Sequence, residues 1–139
     1  MKRLMIGLLA VLFLSGACAT VPVKPIGSND LPALKGKWEG TRELLLGFTR
    51  TFAAVEMEII SDTLPVKGKI VIYVREETGT VPRTYSFDDG AIDPNGKLII
   101  KLPEENRMEL SFYSDESTKT LYGSFSHKDQ PGKITLHKK

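Results

Sequence analysis

From about residue 34 onward the chain alternates between apolar and polar positions. In "TFAAVEMEIIS", Ala53, Val55, Met57 and Ile59 share one parity while Glu56 and Glu58 take the other. In "VKGKIVIYVRE", Val66, Ile70, Ile72 and Val74 oppose Lys67, Lys69 and Arg75. "KLIIKL" sets Leu98, Ile100 and Leu102 against Lys97 and Lys101, and "RMELSFYS" sets Met108, Leu110 and Phe112 against Arg107 and Glu109. Leu121 pairs with Phe125 in "TLYGSFSH", and Ile134 with Leu136 in "KITLHKK". A period of two is the signature of a half-buried strand with one wet face.

The interruptions are turn chemistry. "DPNG" (93–96) offers Pro where φ near −65° is wanted, then Asn and Gly, which tolerate positive φ. "SDES" (114–117) and "KDQPG" (128–132) break the pattern in the same way. The runs 36–46, 51–61, 66–76, 80–92, 97–102, 106–114, 119–127 and 132–138 predict eight strands, joined by links too short for parallel crossovers. The expected fold is all-β: an antiparallel up-and-down meander closing into a small barrel, with an open sandwich as the alternative. A closed barrel removes its sheet edges and can enclose one small ligand.

The first residues break this pattern. Lys2 and Arg3 precede an unbroken apolar run of eleven residues, Leu4 to Leu14, followed by the small residues Ser15, Gly16 and Ala17. About 20 apolar residues are needed to span a bilayer as a helix, so the run reads as an export signal. It ends at Cys18, the single cysteine of the chain, which therefore has no intrachain disulfide partner. Leu14-Ser15-Gly16-Ala17-Cys18 resembles the lipobox of bacterial lipoprotein signals, with the leucine four positions before the cysteine rather than the commoner three. That resemblance implies removal of residues 1–17 and lipidation of Cys18, by a diacylglycerol thioether and an N-terminal acyl chain such as palmitate. It also implies attachment to the membrane of the cell envelope. Ala19 in place of Asp leans towards the outer membrane, facing the periplasm or the cell surface.

Removing Lys2 and Arg3 changes the charge picture. The 19 basic and 17 acidic residues of the whole chain become 17 of each, so the mature chain is neutral. Nucleic acid is not an expected partner, because binding it calls for a basic patch. Residues 18–33 contain Pro22, Pro25 and Pro32 and read as a lipidated Cys followed by a Pro-rich tether. Extended at about 3.1 Å per residue, that tether reaches about 45 Å. The barrel domain is expected over 34–139.

Gly36-Lys37-Trp38 resembles the Gly-X-Trp of the first strand of lipocalins and related calycin barrels. There the Trp closes one end of the barrel and packs under a basic residue from near the last strand, for which Lys138 is the match by position. The chain departs from that family in having no helix after the last strand.

The candidate chemistry points to binding rather than catalysis. His127 and His137 fall on neighbouring strands, opposite Gly132 and Tyr122 in the expected register, and read as exposed polar positions, not a metal site. Asp93, Asn95 and Glu104 have EF-hand spacing, but Lys97 and Leu98 stand where a ligand and the essential Gly belong. Asp88-Asp89 and Glu104-Glu105 are adjacent pairs whose members face opposite sides of a strand, unsuited to joint acid–base work. No enzymatic activity, cofactor or metal is expected. Arg42 shares parity with Trp38, Leu44 and Leu46, and Arg83 with Val81, Tyr85 and Phe87. An Arg inside a barrel calls for an anion, so Arg42, Arg83 and Tyr85, with Trp38, are the candidate ligand-binding residues. The alternative for the two arginines is a bulge or a place at the rim. The expected function is that of a membrane-anchored envelope lipoprotein binding a small apolar or amphiphilic ligand. The alternative is a non-enzymatic module that binds or inhibits an envelope protein.

Overall fold

Every stretch of alternation forms a strand. The computed structural model describes residues 23–139, so Cys18 and the signal segment lie outside the described residues. The strands are β1 (Gly36–Leu46), β2 (Thr49–Ile59), β3 (Val66–Glu76), β4 (Gly79–Ile92), β5 (Leu98–Leu102), β6 (Asn106–Ser114), β7 (Lys119–His127) and β8 (Gln130–Lys138). Each is antiparallel to its neighbours in chain order, and β8 returns to β1 from Trp38↔Lys138 to Leu44↔Gly132. The result is a closed eight-stranded up-and-down barrel, consistent with the lipocalin-like expectation.

The boundaries differ where turns are tighter than the sequence suggested. Gly47 and Phe48 alone join β1 to β2, and Gly47 supplies the positive φ (61°). Two residues also join β7 to β8, so His127 pairs with Gln130 and His137 with Thr120, not with Gly132 and Tyr122. Between Val66 and Gly68 the β3–β4 register shifts, and Asp88 and Asp89 take up the extra residue as a bulge.

Inward-facing apolar residues fill the lower and middle barrel. Ile70, Leu98, Ile100, Met108, Leu110 and Phe125 are all fully buried. Glycines occupy inner positions where strands coil tightly. At Gly40 and Gly123 a Cβ would run into the backbone carbonyls of Thr135 and Glu109 on the adjacent strands.

One end of the barrel is closed by residues that the sequence suggested were tether. Lys24 bridges to Phe112, the Ile26 N–H donates to the Gly96 carbonyl at 2.8 Å, and a 3₁₀ turn (Ser28–Asp30) leads into a short helix α1 (Leu31–Leu34). Ile26, Leu31 and Leu34 are buried against the core. The part of the expected tether from Lys24 to Ala33 is therefore packed rather than free, because its Ile26 and Leu31, together with Leu34, cover the barrel floor. Asp30 secures the turn by accepting the Gly27 N–H at 2.8 Å, and that bond holds its carboxyl below the ordinary value.

The β6–β7 turn carries a pH-dependent cap. Asp115 Oδ1 accepts the backbone N–H groups of Ser117 (2.8 Å) and Thr118 (2.7 Å), which lower its carboxyl pKa to about 2. A depressed carboxyl stabilises the folded turn above the ordinary Asp value, and the contribution is lost as pH falls through about 2. Exchange of the Thr118 amide, followed by NMR, is expected to accelerate across that acidic window. In Asp115→Ala the amide's protection relative to the intrinsic exchange rate should be lost at every pH.

Candidate functional site

The closed end accounts for Trp38. Its indole N–H donates to the Leu34 carbonyl at 2.8 Å, and its ring meets Phe112 edge-on with centroids 6.3 Å apart. The Lys138 ammonium lies 5.7 Å from the indole centroid and donates to the Ala33 carbonyl at 2.7 Å. Burial holds that ammonium below its ordinary pKa, and Lys119 pushes it the same way. Gly36 has φ +127°, and a Cβ there would press on Lys138 Cε at 3.1 Å, so this position suits glycine alone. Trp38 thus belongs to the floor, with the closing role that the resemblance implied, and is not grouped with the other candidate ligand residues.

The opposite end is open because two hairpins outrun their neighbours. The β2–β3 ladder stops at Ala54↔Tyr73, and β4 pairs with β5 only through Ala91↔Ile99 and Ile92↔Leu98. β5 is short because the following turn begins at Pro103 and places Glu104 and Glu105 at positive φ (60° and 58°). Above these points the walls part around a cavity of about 760 Å³. Its lining brings together Arg42, Arg83 and Tyr85 with Asn106 and His127, and with apolar wall from Leu44, Ala53 and Val74.

Arg42 lies deepest of the charged groups. It points inward from β1 between Ala53 on β2 and Ile134 on β8, and is only 9% exposed. Its guanidinium carbon lies 5.1 Å from the Phe125 centroid, a cation–π contact that forms a floor beneath it. Its Nε is the one buried side-chain polar atom, among the described residues, without a hydrogen-bond partner. None of the ion pairs of the described residues involves it. Burial lowers its pKa, opposed by Tyr85.

Arg83 and Tyr85 differ from Arg42 in having partners. The Arg83 guanidinium donates to Glu76 Oε1 at 2.8 Å, which raises its pKa, and the side chain stands at the exposed rim. The bulge in β4 lies below it and leaves its inward parity intact, opposite Ile72. The Tyr85 hydroxyl donates to Glu104 Oε2 at 3.2 Å across the seam between β4 and the β5–β6 turn. Burial, reinforced by the Glu104 charge, raises the Tyr85 pKa. Of the two inward-facing arginines, then, Arg42 is the buried one and the one without an anion; Arg75 also lines the cavity without an ion pair, but from the exposed end of β3.

Asn106 escaped the sequence reading, and His127, expected as an exposed polar position, is instead half-buried and lines the cavity. His127 shares parity with Leu121 and Phe125, and Asn106 with Met108 and Leu110, so the alternation itself marks both as inward. Across the β6–β7 ladder they form a pair, with His127 Nδ1 2.8 Å from Asn106 Oδ1. Apolar side chains frame the mouth: Leu46 and Phe52 belong to the lining, and Phe48 is fully exposed at the β1–β2 tip.

No protein-family model matches this chain, and neither the curated proteins nor the solved structures compared with it give a match.

Proposed function

We propose that this protein is a bacterial envelope lipoprotein, anchored through Cys18, whose barrel binds a small amphiphile with an anionic head. The observation that carries the reading is Arg42, a buried cation without a carboxylate partner in a cavity of about 760 Å³. Ligand pockets typically measure about 300–1,000 Å³ and combine apolar walls with a few fixed polar groups, as this one does. A carboxylate or phosphate would satisfy Arg42 by charge-assisted hydrogen bonds. The apolar tail would lie along Leu44, Leu46 and Phe52 towards the mouth. Lys24, six residues after Cys18, is attached at the closed end, so an anchored barrel would hold its mouth away from the membrane it is tied to.

Native mass spectrometry of residues 19–139 purified from a bacterial periplasm tests this directly. A co-purifying small anion, released on denaturation and absent from Arg42→Met, is the expected result. A uniformly ligand-free wild-type protein would count against it. The exposed Phe48 and Leu45 favour a second reading, a lip that docks an envelope protein. An empty cavity together with a stoichiometric protein partner would support that reading instead.

A further inference from the structure

Asn106 fixes the chemistry of His127. The Asn106 side chain is buried (4% exposed), and its Nδ2 donates to the Pro103 carbonyl at 2.7 Å. Its Oδ1 is therefore the atom that faces His127 Nδ1 at 2.8 Å, and an amide oxygen only accepts. Nδ1 must carry a hydrogen in the neutral ring and in the cationic one alike. The ring is thus held in a single orientation whatever its charge, and a second proton has one position left to occupy, Nε2. Asn106, being neutral, holds the ring without imposing a charge on it, as an aspartate would.

His127 also sits beside the unpaired cation. On β7 it is the next inward residue after Phe125, the ring on which Arg42 rests. Successive same-face residues on a strand are about 7 Å apart. An anion held by Arg42 therefore lies about one side-chain layer from the imidazole, and both residues line the same cavity.

We infer that His127 is a second, proton-gated donor for the ligand's anionic head. The inference rests on the anion-binding role proposed for the cavity. When the anion binds, a proton from solvent adds to Nε2, and the resulting N–H donates to the ligand while Nδ1–H stays on Asn106. Binding therefore takes up as much as one proton and tightens as pH falls. The other charged or titratable groups lining the cavity with His127 are Arg42 from β1, Arg75 from β3, and Arg83 and Tyr85 from β4. Glu104 joins them through Tyr85, and Glu105 through its carbonyl, which accepts the N–H of Lys128 next to His127. Imidazole is the side chain whose class changes charge between about pH 5 and 8. The other imidazole, His137, is exposed on the outer wall and contacts Thr120 Oγ1 at 3.1 Å. The gating makes the site selective for anionic heads in an acidic compartment.

The test uses 1-anilinonaphthalene-8-sulfonate, an amphiphile whose sulfonate stays anionic throughout, so any proton taken up belongs to the protein. The intact chain in lipid nanodiscs, with empty nanodiscs as the blank, is titrated by fluorescence at about pH 5.5 and 8. Calorimetry in two buffers of different ionisation enthalpy then counts protons. Affinity is expected to be about tenfold higher at the acidic pH, with net proton uptake on binding. In His127→Gln the affinity ratio between the two pH values should fall to about one. Binding with no pH dependence and no proton uptake by the unaltered protein would overturn the role of His127 and leave the anion site standing. PH dependence that survives His127→Gln would do the same. Failure of the probe to bind at any pH would overturn both.

Discussion

Replacing Trp38 with Ala should destabilise the barrel by about 3–5 kcal/mol, the range for truncating a buried aromatic residue. The substitution removes three contacts together. It takes away the indole donor of the buried Leu34 carbonyl, the edge of the Phe112 contact and the surface beneath Lys138. The segment Ile26–Leu34 would lose its clamp, because the Leu34 carbonyl and the Lys138–Ala33 bond are what tie it to β1 and β8. Domains are stable by only about 5–15 kcal/mol, so a large share of the total is at stake. Trp38→Phe keeps most of the volume but leaves that carbonyl unpaired, and is expected to cost about 1–3 kcal/mol. Urea unfolding followed by far-UV circular dichroism measures both, since Trp38 is the single tryptophan and fluorescence would lose its reporter. A loss below about 1 kcal/mol for Trp38→Ala would show that the closed end is not clamped in this way.

Arg42→Met should act in the opposite direction on stability. Burying a guanidinium with no carboxylate beside it is unfavourable, and a cation–π contact with Phe125 offsets only about 0.5–2 kcal/mol of that. An apolar side chain of similar length is therefore expected to raise the unfolding free energy by about 1–2 kcal/mol. The same substitution should weaken binding of an anionic amphiphile by about 10- to 150-fold, corresponding to the loss of a charged hydrogen bond worth about 1.5–3 kcal/mol. An arginine kept for structure would destabilise the protein when replaced. One kept for a ligand leaves the protein more stable and less able to bind. Urea unfolding paired with isothermal titration calorimetry separates the two roles.

The strands were legible because each buries one face, and a one-residue slip in pairing would turn Ile70, Ile72 and Val74 to solvent together. Strand ends were less legible. Turn geometry sets them, and Phe48 and Gln130 look no more turn-like or strand-like than their neighbours. The packed segment before β1 was hidden for a related reason. Ile26, Leu31 and Leu34 follow no single period and lie among prolines, so only the barrel floor reveals that they are buried. The Gly-X-Trp stretch, by contrast, carried its role in its residues. Gly36 allows Lys138 to pass over it, and Trp38 lies beneath that side chain.

The cavity was half legible. Parity marked Arg42 and Arg83 alike as inward, and nothing local distinguishes them. What separates them is the strand opposite: Glu76 reaches Arg83 from β3, while Arg42 faces Ala53 and Ile134, which offer no anion. The Asn106–His127 pair joins residues 21 positions apart, and its meaning depends on the Pro103 carbonyl that fixes the amide. Such three-body arrangements exist only once the strands have paired.

The most direct test compares an acid with its uncharged counterpart. Dodecanoate and dodecanol have the same tail and differ at the head, so their affinity ratio isolates what the cavity gains from the charge. Measured by calorimetry on residues 19–139, wild-type protein is expected to prefer dodecanoate by at least about tenfold, and Arg42→Met to show no preference. Equal affinities in the wild type, or a preference that Arg42→Met retains, would contradict the assignment of Arg42 as the residue that holds the ligand's head.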